Sequence, residues 1–265
     1  MIQHNRSLIT PIGFFRLLSA LALAALVFAT APAKAAVTFS GSGLANSNSA
    51  GETNTATATF DLSISGTTTN LVVTLSNTAV YTPNDDPDIL TAVFFTLAGN
   101  PTLTKISGVL NAGSGAVENG TNLTVAGGVI GGSWCYLGGL TNAPRGANQG
   151  ISSAGFNIFG PPDVFPGAAL PDDSPVPDGI GGGLTTTVDA GISDGLSGRP
   201  FIQYSAVFTL GDVPASLTLA DISDVNFQYG TALSEGNIPE PTSLALTALA
   251  IGGLLLLPRR WRSLT

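Results

Sequence analysis

The sequence is poor in the groups that most often carry chemistry. It has one cysteine, one methionine and one histidine, and charged side chains make up only 10% of its 265 residues. The lone Cys135 can form neither an internal disulfide nor a cysteine-based zinc site. The histidine is His4, so residues 36–240 contain no imidazole. That excludes Ser-His-Asp and Cys-His catalysis there, and every histidine-ligated metal. Basic residues are scarce too. In residues 36–240 only Lys105, Arg145 and Arg199 oppose all 17 acidic residues, a formal charge of −14. A stretch so acidic repels phosphate backbones, and nucleic acid is excluded as a partner. Aromatic residues are 7% of the chain, few for a sugar-cleaving cleft. No enzyme signature is present, and the expectation is a protein that is not an enzyme.

What the sequence does have is two distinctive ends. Arg6 and Arg16 precede an apolar stretch, Leu17 to Ala29, followed by Ala33-Lys34-Ala35. A basic segment, an apolar run and an A-x-A pattern read as a secretory signal peptide over residues 1–35, cut between Ala35 and Ala36. Thirteen apolar residues span about 20 Å as helix, short of the ~30 Å hydrocarbon core, which favours cleavage over an uncut anchor. The secretion translocon and signal peptidase follow as partners.

The other end has three parts in order. Pro239-Glu240-Pro241 comes first, then an uncharged stretch from Thr242 to Leu257, then Arg259, Arg260 and Arg262 around Trp261. Sixteen residues give about 24 Å of helix, a short but usable single membrane span. The arginines stay on the cytoplasmic side, with the body outside.

This tripartite tail, over residues 238–265, resembles the PEP-CTERM sorting signal. The resemblance implies recognition by an exosortase, a membrane-embedded cysteine protease or transpeptidase. It also implies removal of the tail near the motif and delivery to the cell surface or extracellular matrix of a Gram-negative bacterium that makes exopolysaccharide. Four further blocks are similar to a family of exosortase-dependent surface proteins of unassigned activity: Gly132 to Tyr136, Ile151 to Gly155, Phe159 to Phe165 and Phe227 to Thr231.

Between the ends, residues 36–237 read as one extracellular β domain. Thr57 to Ser65 alternates, Gly66 to Asn70 is a turn, and Leu71 to Ser76 alternates again, a predicted hairpin. Leu90 to Leu97 is continuously apolar and suits a central strand. Further short strands are expected at Leu103 to Leu110, Asn122 to Ala126, Ser133 to Leu137, Gly155 to Phe159, Leu184 to Asp189, Phe201 to Leu210, Ser216 to Leu219 and Val225 to Tyr229. No segment sustains a helical period. The fold class is all-β, a β-sandwich or jelly roll. The stretch from Phe159 to Gly183 reads as a long ordered loop. Ala92 to Leu97 echoes Ala206 to Leu210, and each is followed by a proline turn and an Ile-Ser-x-Val segment. Either two related halves or shared strand composition explains the echo.

Two clusters suggest ligands. Asp85, Asp86 and Asp88, with Asp172 and Asp173, offer carboxylate oxygens suited to calcium on loops, or else form solvated acidic turns. Trp134 and Tyr136 offer an aromatic pair that would stack on a sugar in a carbohydrate-binding module, or else anchor the core. Cys135 reads as a buried small hydrophobe. The overall expectation is an exported structural or adhesive protein of an exopolysaccharide matrix, with a carbohydrate-binding module as the alternative.

Overall fold

A computed structural model describes residues 36–44, 51–171, 173, 177, 179–186 and 196–240. The predicted signal peptide and membrane span lie outside these residues. The described chain is all-β, with 14 strands and only short 3-10 turns between them. The strands are β1 (Ala36–Leu44), β2 (Thr53–Ser65), β3 (Thr68–Asn77), β4 (Leu90–Leu97), β5 (Thr104–Leu110), β6 (Ala116–Glu118) and β7 (Thr121–Leu123). They continue as β8 (Cys135–Gly138), β9 (Gln149–Ser152), β10 (Leu184–Thr185), β11 (Phe201–Gln203), β12 (Ser205–Gly211), β13 (Ile222–Tyr229) and β14 (Asn237–Pro239).

The first sheet has the order β1-β2-β3-β12-β5, all antiparallel. Its centre is the predicted hairpin. The turn is tighter than expected: Ser65 already pairs with Thr68, leaving Gly66 and Thr67 as a two-residue loop. Gly66, at φ 63, takes the left-handed conformation that such loops require. Alternation along β2 turns Ala56, Ala58 and Phe60 inward and the threonines between them outward.

The second sheet runs β14-β13-β4-β10-β11-β6-β7, with β9 joining β4 to β8. Its strands are antiparallel except for the parallel pair β10–β11. β4 spans the predicted residues and is central, pairing with β13 on one side and with β9 and β10 on the other. Both of its faces are covered, which explains its unbroken apolar run. Val93 and Phe95 join the core shared by the two sheets, where Phe95 meets Phe60 at 5.0 Å between ring centroids. Ala92 and Phe94 face a second cluster with Phe156 and Phe159.

The echo has a structural counterpart. β4 lies in the second sheet and its successor β5 in the first; β12 lies in the first and its successor β13 in the second. Each successor pairs with the other unit's leading strand, β5 with β12 and β13 with β4. The two proline turns, at Pro101 and Pro214, carry these two crossings between sheets.

Several predicted strands change shape. Phe201 to Leu210 is two strands, because Tyr204 sits at φ 68 and turns the chain from the second sheet into the first. Gly155 to Phe159 and Ser216 to Leu219 are not strands. β1 was not expected: after Val37 and Phe39, its inward positions are Gly41 and Gly43. A Cβ on Gly41 would lie 2.7 Å from the Phe227 ring, so the glycine makes room for that ring. The segment after Phe159 is an ordered loop as far as it is described. The Gly132 N–H donates to the Ala168 carbonyl at 2.9 Å, and the Phe165 N–H donates to the Trp134 carbonyl at 2.8 Å.

Candidate functional site

The residues singled out by the tail motif begin at the edge of the second sheet. β14 pairs antiparallel with β13, setting Asn237 opposite Gln228, Ile238 opposite Phe227 and Pro239 opposite Asn226. Proline suits this place, because an edge strand needs no N–H on its open side. Ile238 is only 3% exposed. It fills the slot left by the side-chain-free Gly41 and Gly43, where an added Cβ would lie 3.0 and 3.1 Å from it. The Asn237 amide donates to Asn226 Oδ1 at 2.9 Å and to Gln228 Oε1 at 3.2 Å.

Pairing runs on into the motif. The Glu240 N–H donates to the Val225 carbonyl at 3.0 Å. On its other side, β13 breaks its register with β4 between Ser223 and Asn226, and Asp224 takes φ 52. The Asn226 amide holds this irregularity by donating to the Asp224 carbonyl at 2.9 Å. Partial burial, and then the charge of Asp224, push the Glu240 carboxyl above its usual range, against the opposing effect of the Val225 backbone contact. Of the predicted motif, Pro239 and Glu240 are thus seated on the sheet edge, while Pro241 lies outside the described residues. Arg259, Arg260, Arg262 and Ala35 also lie outside them. Ala36 is the first residue of β1 and pairs with Asp61. Among the described residues no helix is long and apolar enough to cross a membrane.

Three of the calcium candidates fall in one turn. Asp85, Asp86 and Asp88 form a capped 3-10 turn in which the Asp85 and Asp88 carboxylates accept from the turn's own backbone. Asp85 Oδ1 accepts from the Asp86 N–H at 2.9 Å. Asp88 is fully buried: its Oδ2 accepts from the Asn84 and Asp85 N–H groups at 3.0 and 3.3 Å, and its Oδ1 from the Tyr81 hydroxyl at 3.1 Å. Burial, the neighbouring Asp85 and then Glu235 raise the Asp86 carboxyl, with Arg199 opposing. Asp172 lies outside the described residues. Asp173 sits in the long loop, where a Cβ on Gly182 would lie 3.4 Å from its Oδ2. Among the described residues, no three His, Cys, Asp or Glu side chains gather as a metal site would require.

The aromatic platform is corrected. Trp134 is 0% and Tyr136 2% exposed, so neither offers a face to a sugar ring. Trp134 lies in the core with its ring 4.8 Å from that of Phe208, and its Nε1–H donates to the Gly182 carbonyl at 3.0 Å. The Tyr136 hydroxyl donates to Gln149 Oε1 at 2.6 Å and accepts from the Leu103 N–H at 3.3 Å. Cys135 between them is buried, and its thiol is pushed up to about 12, first by burial and then by the charge of Asp163. It stays a neutral thiol at physiological pH.

A cleft of about 500 Å³ opens where the two crossings meet, lined by Ala98, Gly99, Pro101, Pro214, Leu217 and Asp221. Its one ionisable side chain is already engaged. Asp221 Oδ2 accepts from the Thr218 N–H and hydroxyl, each at 2.8 Å, and these contacts lower its carboxyl below the usual range. Ser216 also lines the cleft, and one exposed carboxylate supplies no acid–base pair on its own. Sequence reasoning missed this cleft and also β14. The alternation of Asn237 outward and Ile238 inward is too short to announce a strand.

Comparison of the chain with known protein families, curated proteins and solved structures finds no match.

Proposed function

We propose that the chain is an exported protein sorted by an exosortase to the surface or extracellular matrix of a Gram-negative bacterium. In this reading the two sheets form a β-sandwich that serves a structural or adhesive role among exopolysaccharide. The observation that carries the reading is the order of the ends. A leader with an A-x-A site precedes the body, and the Pro-Glu-Pro motif, an apolar span and an arginine cluster follow it. The outer face of the first sheet carries registered rows of hydroxyls, Thr38–Thr59–Thr74 and Ser40–Thr57–Ser76. Such rows of hydroxyls suit contact with a hydrated polysaccharide better than the acidic loops of the body do.

The test replaces Pro239, Glu240 and Pro241 together with alanine in the native host. The altered protein is expected to stay membrane-bound with its tail uncut. Normal release would overturn the sorting assignment. The adhesive role is read separately, by co-sedimentation of the released body with the host's exopolysaccharide. Failure to co-sediment would remove that role and leave sorting standing.

A further inference from the structure

We infer that processing leaves β14 on the body, so that the cut separating the tail falls C-terminal to Glu240. The inference rests on the exosortase reading above and adds to it the position of the scissile bond.

Three observations limit the cut from upstream. First, Ile238 is a core side chain, 3% exposed, and the glycines opposite it in β1 are spaced to receive it. Losing it would leave Gly41 and Gly43 facing a void and uncover the ring of Phe227, which is 0% exposed. Second, residues 237–239 are laddered to β13, and the last bond of the series is the Glu240 N–H to the Val225 carbonyl at 3.0 Å. A protease that takes its substrate as an extended strand needs backbone groups free to pair with it. Up to Glu240 one side of the strand is already occupied. Third, the Glu240–Val225 bond keeps the same register that pairs Pro239 with Asn226, so the docked segment reaches unbroken into the motif. The sorting motif thus has two duties. Its first proline and its glutamate close the sheet edge, and the bonds after Glu240 remain for the enzyme.

The step balances as ordinary acyl transfer. The scissile C–N bond breaks and the carbonyl carbon passes first to the enzyme's thiol. It then goes to water, or to an amine on a surface acceptor. The tail leaves with a new N-terminal amine that has taken up a proton.

The experiment is C-terminal mass analysis of the body recovered from the native host. A C-terminus at Glu240 or beyond, with Asn237 to Glu240 all present, is the expected result. A body that has lost its tail but ends before Glu240 would overturn this inference while leaving the sorting assignment intact. A body retaining Thr265 would overturn both. A second measurement asks whether the retained strand is docked. Carboxypeptidase trimming of the released protein should stall at β14. In Ile238→Ala, processed from the full chain, trimming through Asn237 should run more than about tenfold faster, since the truncation removes most of the side chain that holds the strand down. Equal trimming rates would show an undocked strand and overturn the inference.

Discussion

The two sheets are held together by different means. The first has long strands with full ladders: nine paired residues between β1 and β2, and ten between β2 and β3. Its polar side chains mostly face outward. The second sheet has six strands of two to four residues in a row, β6 to β11. Such strands make few ladder bonds, and buried polar side chains supply the rest. Gln149, fully buried, donates to Asn100 Oδ1 and to the Pro101 carbonyl, each at 3.1 Å, and accepts from Tyr136. Asn148 extends the edge of β4 by donating to the Leu97 carbonyl at 3.0 Å and accepting from the Leu97 N–H at 2.9 Å. Thr91 donates to the Gly230 carbonyl at 2.6 Å. Even the first sheet's buried asparagines serve the second: Asn77 donates to the Leu184 carbonyl and Asn54 to the Pro87 carbonyl, each at 3.0 Å. The lesson is that a sheet of short strands is stabilised by its side-chain hydrogen bonds as much as by its backbone.

The difference breaks most visibly at Gln149. Gln149→Leu keeps the volume but leaves the Tyr136 hydroxyl and the Pro101 carbonyl without their partner. A loss of about 3 kcal/mol is expected in urea unfolding, from two buried groups at roughly 1–3 kcal/mol each. A loss below about 1 kcal/mol would mean that water replaces the amide.

A matched pair of threonines sharpens the contrast. Thr91→Val in the second sheet removes a fully buried donor and should cost about 1–3 kcal/mol. Thr74→Val on the outer face of the first should stay within about 0.5 kcal/mol. Equal effects would dissolve the distinction between the sheets.

The smallest effect is expected at the edge between them. A raised Glu240 carboxyl means that the folded state holds this proton more tightly than the unfolded chain does. That contribution is present below the ordinary pKa and is lost as pH rises through the higher folded value. Glu240→Gln mimics the protonated form. Thermal melts of the variant should therefore show a gain at pH 7 of roughly a few tenths of a kcal/mol, given solvent screening, and none below about pH 4. A gain that persists at low pH would assign the effect to packing instead.

The first sheet was largely legible in the sequence. Alternation exposed β2 and β3, and an unbroken apolar run exposed β4 of the second sheet as buried on both faces. β1 escaped because two of its four inward positions are glycines, whose meaning depends on Phe227 and Ile238 far along the chain. The second sheet escaped more widely. Strands such as β10 are too short to carry a period, and Tyr204 breaks an apparently continuous strand through one backbone angle. Composition could not say whether Asp85 to Asp88 form a metal site or a turn that binds its own amides, because both use the same clustered carboxylates. The Pro-Glu-Pro motif stood out in the sequence, but its pairing with β13 did not, since nothing in Asn237 to Glu240 announces a strand.

The crossings at Pro101 and Pro214 have a consequence for how the chain folds. Each joins a strand of one sheet to a strand of the other, so neither half can close its edge without the other. Thr104 bonds to Asp212 across 108 residues, and the Tyr229 hydroxyl donates to the Thr55 carbonyl across 174. Contact order is high, and loop-closure entropy must be met before these pairings reward it. On a chain made from its N-terminus, the β2–β3 hairpin can form early. The shared core must wait for Ser205 to Tyr229, and β14 for the residues just before the tail. Folding is therefore expected to be slow and late, with most of the chain still open when its last strands are made.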